Sequence, residues 1–367
     1  MSKPWLASYP SGVPAEIDSN RYRSLAHLAE ESFAKFAART AYVQMDKSLS
    51  FGELDRQSRA FGAWLQQRAG LKRGDRVAIM MPNVLQYPIA LFGVLRAGGT
   101  VVNTNPLYTA RELRHQLVDS GAEVIVILEN FAHVLEEVIG QTSVRKVVVT
   151  SVGELLGFPK GSIVDFVVRR IRKGVPAWNL PGAQRFGNVL AEGAGLSLQA
   201  VDLHHDDLAF LQYTGGTTGV SKGAMLSHGN MVANVMQSSA WTEWALPQDE
   251  PGIAITALPL YHILALTACN LFMFRIGAMQ VLIANPRDIP GFIKTLQKTP
   301  PSILVLVNTL YNVLAHAEGF GSVNMSKLAL CISGGMATQA AVAKRWKELT
   351  GKPIIEGYGL SETSPGV

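Results

Sequence analysis

The stretch YTGGTTGVSKGAMLSHGN, Tyr213 to Asn230, follows an apolar run, Leu208-Ala209-Phe210-Leu211, and precedes a helix-like Met231–Val235. Between them stand Gly215, Gly216, Gly219 and Gly223, interleaved with Thr214, Thr217, Thr218, Ser221 and Lys222. A strand, a glycine-rich loop and a helix form the general phosphate-binding arrangement. Glycines let the backbone come close, and N–H groups, hydroxyls and a lysine all donate to phosphate oxygens. A merely flexible turn has no need of so many hydroxyls beside a lysine. The Walker A pattern does not fit, because Lys222 follows Ser221 and precedes Gly223.

Outward from this loop, short β-rich runs alternate with helical ones. Arg76–Met80, Thr100–Val102, Glu123–Leu128, Lys146–Thr150, Ile303–Val307 and Leu328–Ile332 read as strands. Leu85–Arg96, Ala132–Ile139, Leu310–Ala317 and Gln339–Leu349 read as helices, and Thr109-x-x-Glu112 opens another that stops near Gly121. The alternation predicts an α/β fold with largely parallel sheets covered on both faces. Two such layers are expected, one on either side of about residue 200, with the Gly/Pro-rich residues 174–200 as connector. The expected subdivision is 1–200 and 201–367.

Bulk composition narrows the function. The 367 residues are 48% hydrophobic and 17% charged, enough for a large core and too few charges for a disordered tail. A net charge of +5 suits anionic small ligands or a membrane surface. Nucleic acid is not expected, for no basic block is interleaved with aromatics. Cys269 and Cys331 lie far apart in apolar runs and read as buried thiols of a reducing, cytoplasmic compartment. The N-terminus has no apolar core of a signal peptide. Pro251–Phe274 carries no charge and is long enough to cross a bilayer, but Pro259, His262 and Asn270 interrupt it. A buried strand, loop and helix are expected there. Ser162–Trp178 is expected to be an amphipathic helix, with Ile163, Val164, Val167, Val168, Ile171 and Val175 on one face. Asp165, Arg169, Arg170, Arg172 and Lys173 take the other, and such a helix can lie in a membrane interface.

Two further stretches give the loop its context. SGGMA, Ser333 to Ala337, and EGYGLSET, Glu356 to Thr363, follow YTGGTTGVSKG in order. Together the three resemble the phosphate loop, adenine turn and YG-x-[TS]-E motif of the adenylate-forming superfamily. VVNTNPLYTARELRHQL, TALPLYHI, NPRDIPG and VNTLYN narrow the resemblance to bacterial long-chain fatty-acid–CoA ligases, over the whole chain. The resemblance implies the large N-terminal domain of these enzymes, two βα-layered subdomains with mixed, largely parallel sheets. It implies ATP, Mg²⁺ and coenzyme A as cofactor and co-substrates, and a long-chain fatty acid as the acid. Thr214, Gly215, Gly216, Thr217, Thr218, Gly219 and Lys222 would embrace the β- and γ-phosphates. Tyr358 would stack on adenine, with Gly334, Gly335, Gly357 and Gly359 leaving room for the ring. Ser361 would bond the α-phosphate, and Glu362 would hold Mg²⁺ with help from Thr214. His262 would border the acyl carboxylate. Thr214, Lys222, His262 and Glu362 form the expected catalytic set.

The chain departs from the family pattern at Ser221, where many members have Pro, and at Ser361, where many have Thr. The hydroxyl at Ser361 is kept. The family continues beyond the position of Val367 with a ribose-binding Asp, a hinge and a small C-terminal domain carrying a catalytic lysine. The chain therefore reads as the N-terminal portion, without that lid and impaired in adenylation. Further expected partners are the inner face of the cell membrane, through residues 162–178, and a second copy of the chain. Two other readings remain open. One is a ligase for another class of carboxylic acid, and the other a non-catalytic nucleotide- or acyl-binding fragment.

Overall fold

The computed structural model describes residues 3–214, 220–246 and 252–367. Its strands are β1 (Thr40–Gln44), β2 (Lys47–Ser50), β3 (Arg76–Met80), β4 (Thr100–Asn103), β5 (Val124–Leu128), β6 (Lys146–Thr150) and β7 (Gln184–Arg185). After them come β8 (Leu208–Thr214), β9 (Lys222–Ser227), β10 (Ile253–Thr256), β11 (Met279–Leu282), β12 (Ile303–Leu306), β13 (Leu330–Ser333) and β14 (Ile355–Glu356). They build two sheets, ordered β7-β6-β5-β3-β4-β8-β9 and β14-β13-β12-β10-β11-β1-β2. Every pairing is parallel except β8 with β9 and β1 with β2, at one edge of each sheet. Strands cross residue 200 in both directions: β8 and β9 complete the first sheet, while β1 and β2 join the second.

Local chemistry explains the elements. β4, β5 and β12 are buried at every position, as central parallel strands under helices should be. The helix Ala110–Ser120 starts at a capping box, with Glu112 accepting from Thr109 N–H at 2.8 Å, and stops at Gly121. A wedge of aromatic rings joins the layers. Phe274 lies 4.4 Å from Phe92, 4.8 Å from Phe51 and 5.2 Å from Phe33. One continuous apolar core runs through it from β3 to β13.

Two sequence expectations need correction. Residues 174–200 are more than a connector, for they hold β7 and the helix Phe186–Ala194. That helix packs against Phe51–Gln67 so closely that a Cβ at Gly193 would meet Ala60 O at 2.0 Å. Its glycines serve close approach, which sequence composition reads as looseness. The amphipathic helix is also shorter than expected, covering Lys160–Ile171 and ending well before Trp178. Arg169, though exposed, is tied back to the body. Its guanidinium donates at 2.7 and 2.8 Å to Glu129, a buried carboxylate that Arg185 also reaches at 2.9 Å. Val164, Val167 and Val168 are half-buried, but Ile163, Phe166 and Ile171 are exposed.

The uncharged run from Ile253 forms β10, a turn and the buried helical stretch Ala265–Arg275, as expected. No helix among the described residues is long and apolar enough to cross a membrane.

His228, first residue of the helix His228–Thr242, is fully buried, and its Nδ1 accepts from Leu25 N–H at 3.1 Å. Burial pushes its pKa down from 6.5 to about 4; Asp207 opposes the shift and His205 reinforces it. The unfolded chain therefore takes up this proton first as pH falls. The contribution of His228 is complete above pH 6.5 and is lost down to about pH 4, a change of roughly 3 kcal/mol. Urea denaturation across this window should show His228→Asn, which keeps an acceptor for Leu25, losing less stability on acidification than the parent. Equal losses would remove His228 from the account.

Candidate nucleotide and acyl site

The glycine-rich loop differs from the expected strand–loop–helix. Lys222–Ser227 is a strand that pairs antiparallel with β8, with Thr214 opposite Lys222. The helix begins only at His228, capped by Ser227 and Asn230. Helix-terminus N–H groups therefore do not flank the loop. Gly215, Gly216, Thr217, Thr218 and Gly219 lie outside the described residues. Ser221 Oγ donates to Thr214 O at 2.6 Å. His115 Nε2 meets Ser221 O at 2.7 Å, as donor in the matching tautomer. Tyr213 Oη donates to Asp119 at 2.6 Å, and burial raises the pKa of that phenol, keeping it a donor. His115 and Asp119 share one face of the helix Ala110–Ser120. Their four-residue spacing was a usable signal, but their partner a hundred residues away was not.

The residues of SGGMA and EGYGLSET gather where β13 and β14 end. Gly357 N–H donates to Ser333 O at 2.8 Å, joining the two turns, and Glu356 accepts from Thr338 N–H at 3.0 Å. Gly334 and Gly335 follow Ser333. Gly359 bridges Gly366, and a Cβ there would sit 1.8 Å from Pro365 O, so only glycine fits this turn. Tyr358 stands beside it with 74% of its surface exposed, its ring open for stacking. The single turn Ser361–Thr363 packs against both β8 and β9. Asn234, on the helix His228–Thr242, holds the following segment by donating to Gly366 O at 2.9 Å and accepting from Gly366 N–H at 3.2 Å. The three motifs thus converge.

A cavity of about 940 Å³ opens beneath them. Gly335, Gly357, Tyr358, Gly359 and Ser361 line one end, and His262 stands on its wall. Thr214, Lys222, Gly334 and Glu362 are outside the lining; β8 and β9, which end and begin with Thr214 and Lys222, pack against the turn 361–363. The lining also carries apolar side chains, among them Ile263, Ala268, Phe272 and Trp241.

His262 is reachable from the cavity but crowded by protein elsewhere, and this desolvation lowers its pKa below the ordinary histidine value. The shift favours the neutral ring, which can donate or accept a hydrogen bond. Its loop is fixed from the first sheet. Asn83 Nδ2 donates to Thr256 O and Leu258 O at 2.9 Å each, and Asn83 Oδ1 accepts from Leu260 N–H. Tyr87 Oη donates to Leu260 O at 2.8 Å, and Gln212 to Tyr261 O at 2.7 Å. Sequence reading missed Asn83, Tyr87 and Gln212, since each acts on a partner far along the chain.

No group of three or more His, Cys, Asp or Glu able to hold a metal exists among the described residues. The donors at hand are the exposed Glu362 carboxylate and the Thr214 hydroxyl. So sparse an oxygen set suits Mg²⁺, which completes its shell with waters and phosphates.

The model of the AMP-binding enzyme family matches residues 29–367. The chain belongs to that family. Among the relatives of this AMP-binding chain, a Yersinia pestis protein named long-chain-fatty-acid–CoA ligase is 52% identical over 367 residues. A Bacillus subtilis protein of the same name is 34% identical over 366. All of this chain, but only 65% of the Yersinia protein, is covered, so the AMP-binding chain spans about two thirds of that relative. The fold agrees with solved structures. An anthranilate CoA ligase holding anthranoyl-AMP superposes with a TM-score of 0.79 at 22% identity, over 94% of this chain and 61% of that one. A long-chain-fatty-acid-CoA ligase from Archaeoglobus fulgidus does so at 0.76 and 21%, over 98% and 68%.

Proposed function

We propose that this chain is the nucleotide- and acid-binding part of a long-chain fatty acid–CoA ligase. The observation that carries the reading is a single cavity with glycines and Tyr358 at one end and an apolar wall at the other. An adenylate of a fatty acid has the same two ends. The names of the 52% and 34% identical relatives support it.

A carboxylate is a poor electrophile, because it is anionic and resonance-stabilised. In the proposed first step its oxygen forms a bond to the α-phosphorus of ATP while the bond to pyrophosphate breaks. Coenzyme A thiol then attacks the acyl carbon, the thiol proton leaves, and AMP departs. Thr214, Lys222 and the loop they bound would donate to the departing pyrophosphate, and Ser361 to the α-phosphate. Tyr358 would hold the adenine, and Gly334, Gly335, Gly357 and Gly359 would admit it. His262, neutral, would shape the carboxylate end and offer it a hydrogen bond. Glu362, with Thr214, would hold Mg²⁺, which supplies charge neutralisation on the phosphates. Most of the rate gain in this scheme is orientation and electrostatics. Release of pyrophosphate from ATP, followed with a series of acids, tests it. Release dependent on palmitate supports the reading; release that needs no acid marks an ATPase, and a preference for benzoate marks a different ligase.

A membrane-surface role for residues 158–173 belongs to the same reading. Phe158, Ile163, Phe166 and Ile171 are exposed beside Arg170, Arg172 and Lys173. Apolar side chains rimmed by cations suit an anionic lipid surface. Reversing Arg170, Arg172 and Lys173 to Glu should lower binding to phosphatidylglycerol vesicles, read by sedimentation, by roughly a hundredfold or more at low salt. Reversing Arg169 would instead place a carboxylate against the buried Glu129 and remove two of its bonds, so it makes a poor probe. Unchanged sedimentation of the triple variant would discard the surface.

A further inference from the structure

The apolar end of the cavity has a wall that neither sheet supplies. Trp241 lies near the end of the helix His228–Thr242, seven residues and about 10 Å beyond Asn234 at the nucleotide side. Lining the same cavity are Tyr9 and residues 14–17 of the N-terminal segment. The Tyr9 and Trp241 rings meet edge to face, with centroids 4.9 Å apart and planes at 69°. The segment has little other hold on the body. Its turn Pro4–Ser8 buries no residue, and its backbone bonds, Leu6 to Lys3, Tyr9 to Leu6 and Val13 to Pro10, all close within it. Its ion pair, Lys3 with Glu16 at 2.8 Å, is exposed and internal. The aromatic contact at the cavity is one of the holds on this lightly attached segment.

We propose that Tyr9 and Trp241 form the far wall of the acyl site and set the preference for long chains. This rests on the ligase reading. A short acyl chain would end beside His262, Thr267 and Ala268, short of the rings. A long one would run on to Trp241, lay its last methylenes against the paired rings, and fasten the N-terminal segment beside itself. Each methylene so buried adds roughly 0.8 kcal/mol, about fourfold in affinity, so a few decide between chain lengths. Tyr9 and Trp241 touch only the tail, so they leave the chemistry at the carboxylate alone.

The test is calorimetric titration of the chain with palmitoyl and octanoyl sulfamoyl-adenosine, stable analogues of the adenylate. It is run on the parent, Tyr9→Ala, Trp241→Ala and the double variant. The rings lie on the surface, so the variants should fold; circular dichroism checks this, and Trp241→Phe, which keeps an aromatic edge, should bind as the parent does. The expected result is a roughly tenfold loss for the palmitoyl analogue in each single variant and no change for the octanoyl one. The double variant should lose little more than either single one, because each ring needs the other. Equal losses for both analogues, or no loss for either, would overturn the wall. A parent that binds both analogues alike would overturn it too, leaving the nucleotide site standing. A parent that binds neither would overturn the ligase reading and this inference with it.

Discussion

Lys222→Ala is expected to cut acid-dependent release of pyrophosphate about a hundredfold while leaving the fold intact. Lys222 opens β9 at the root of the loop, opposite Thr214, and its side chain is exposed. With the described residues its ammonium makes no hydrogen bond or ion pair, so the fold does not depend on it. A cation that meets departing phosphates, as proposed for Lys222, gains most when their charge develops, and losing such a donor costs roughly 10²–10³ in rate. Stability should move by no more than about 0.5 kcal/mol, as for other exposed positions. Rate and urea midpoint together check this. A variant as fast as the parent would remove the loop from phosphate handling.

Trp346→Ala should have the largest effect on stability. Trp346 is fully buried, 4.7 Å from the Tyr311 ring and 5.3 Å from that of Phe320, and its Nε1–H points at Cys331 Sγ at 3.4 Å. Emptying that space should cost about 3–5 kcal/mol, a large part of an ordinary domain's stability. The damage would reach the site, because Cys331 lies on β13, whose last residue, Ser333, holds Gly357. Burial pushes the Cys331 thiol up to about 11, so the parent should resist thiol reagents at pH 8. The variant should label there quickly and bind adenylate analogues more weakly. A variant that stays unlabelled and unfolds with the parent would contradict this packing.

Elements that rest on local chemistry were legible in the sequence. The buried runs of β3 to β6 have too many β-branched residues for anything else, and Thr109 with Glu112 and Gly121 marks both ends of a helix. Elements whose evidence lies far away were misread. β9, with Lys222, Gly223 and Ala224, lacks strand composition and exists because β8 offers it an edge. Gly193 looks like a loop residue until Ala60 lies against it. The assignment of β1 and β2 to the second sheet depends on pairing with β11, some two hundred residues on, and no local pattern encodes that. The site divides the same way. The glycines, Tyr358, Ser361 and His262 announce themselves by motif, whereas Asn83, Tyr87, His115 and Asp119 act only through partners the fold delivers.

The central claim is that one cavity takes both the nucleotide and the acyl chain. Titrating the chain with palmitoyl and acetyl sulfamoyl-adenosine tests it most directly. The account predicts that the palmitoyl compound binds far more tightly and that Tyr358→Ala weakens both compounds alike. Equal affinities for the two compounds, or indifference to the loss of Tyr358, would contradict it.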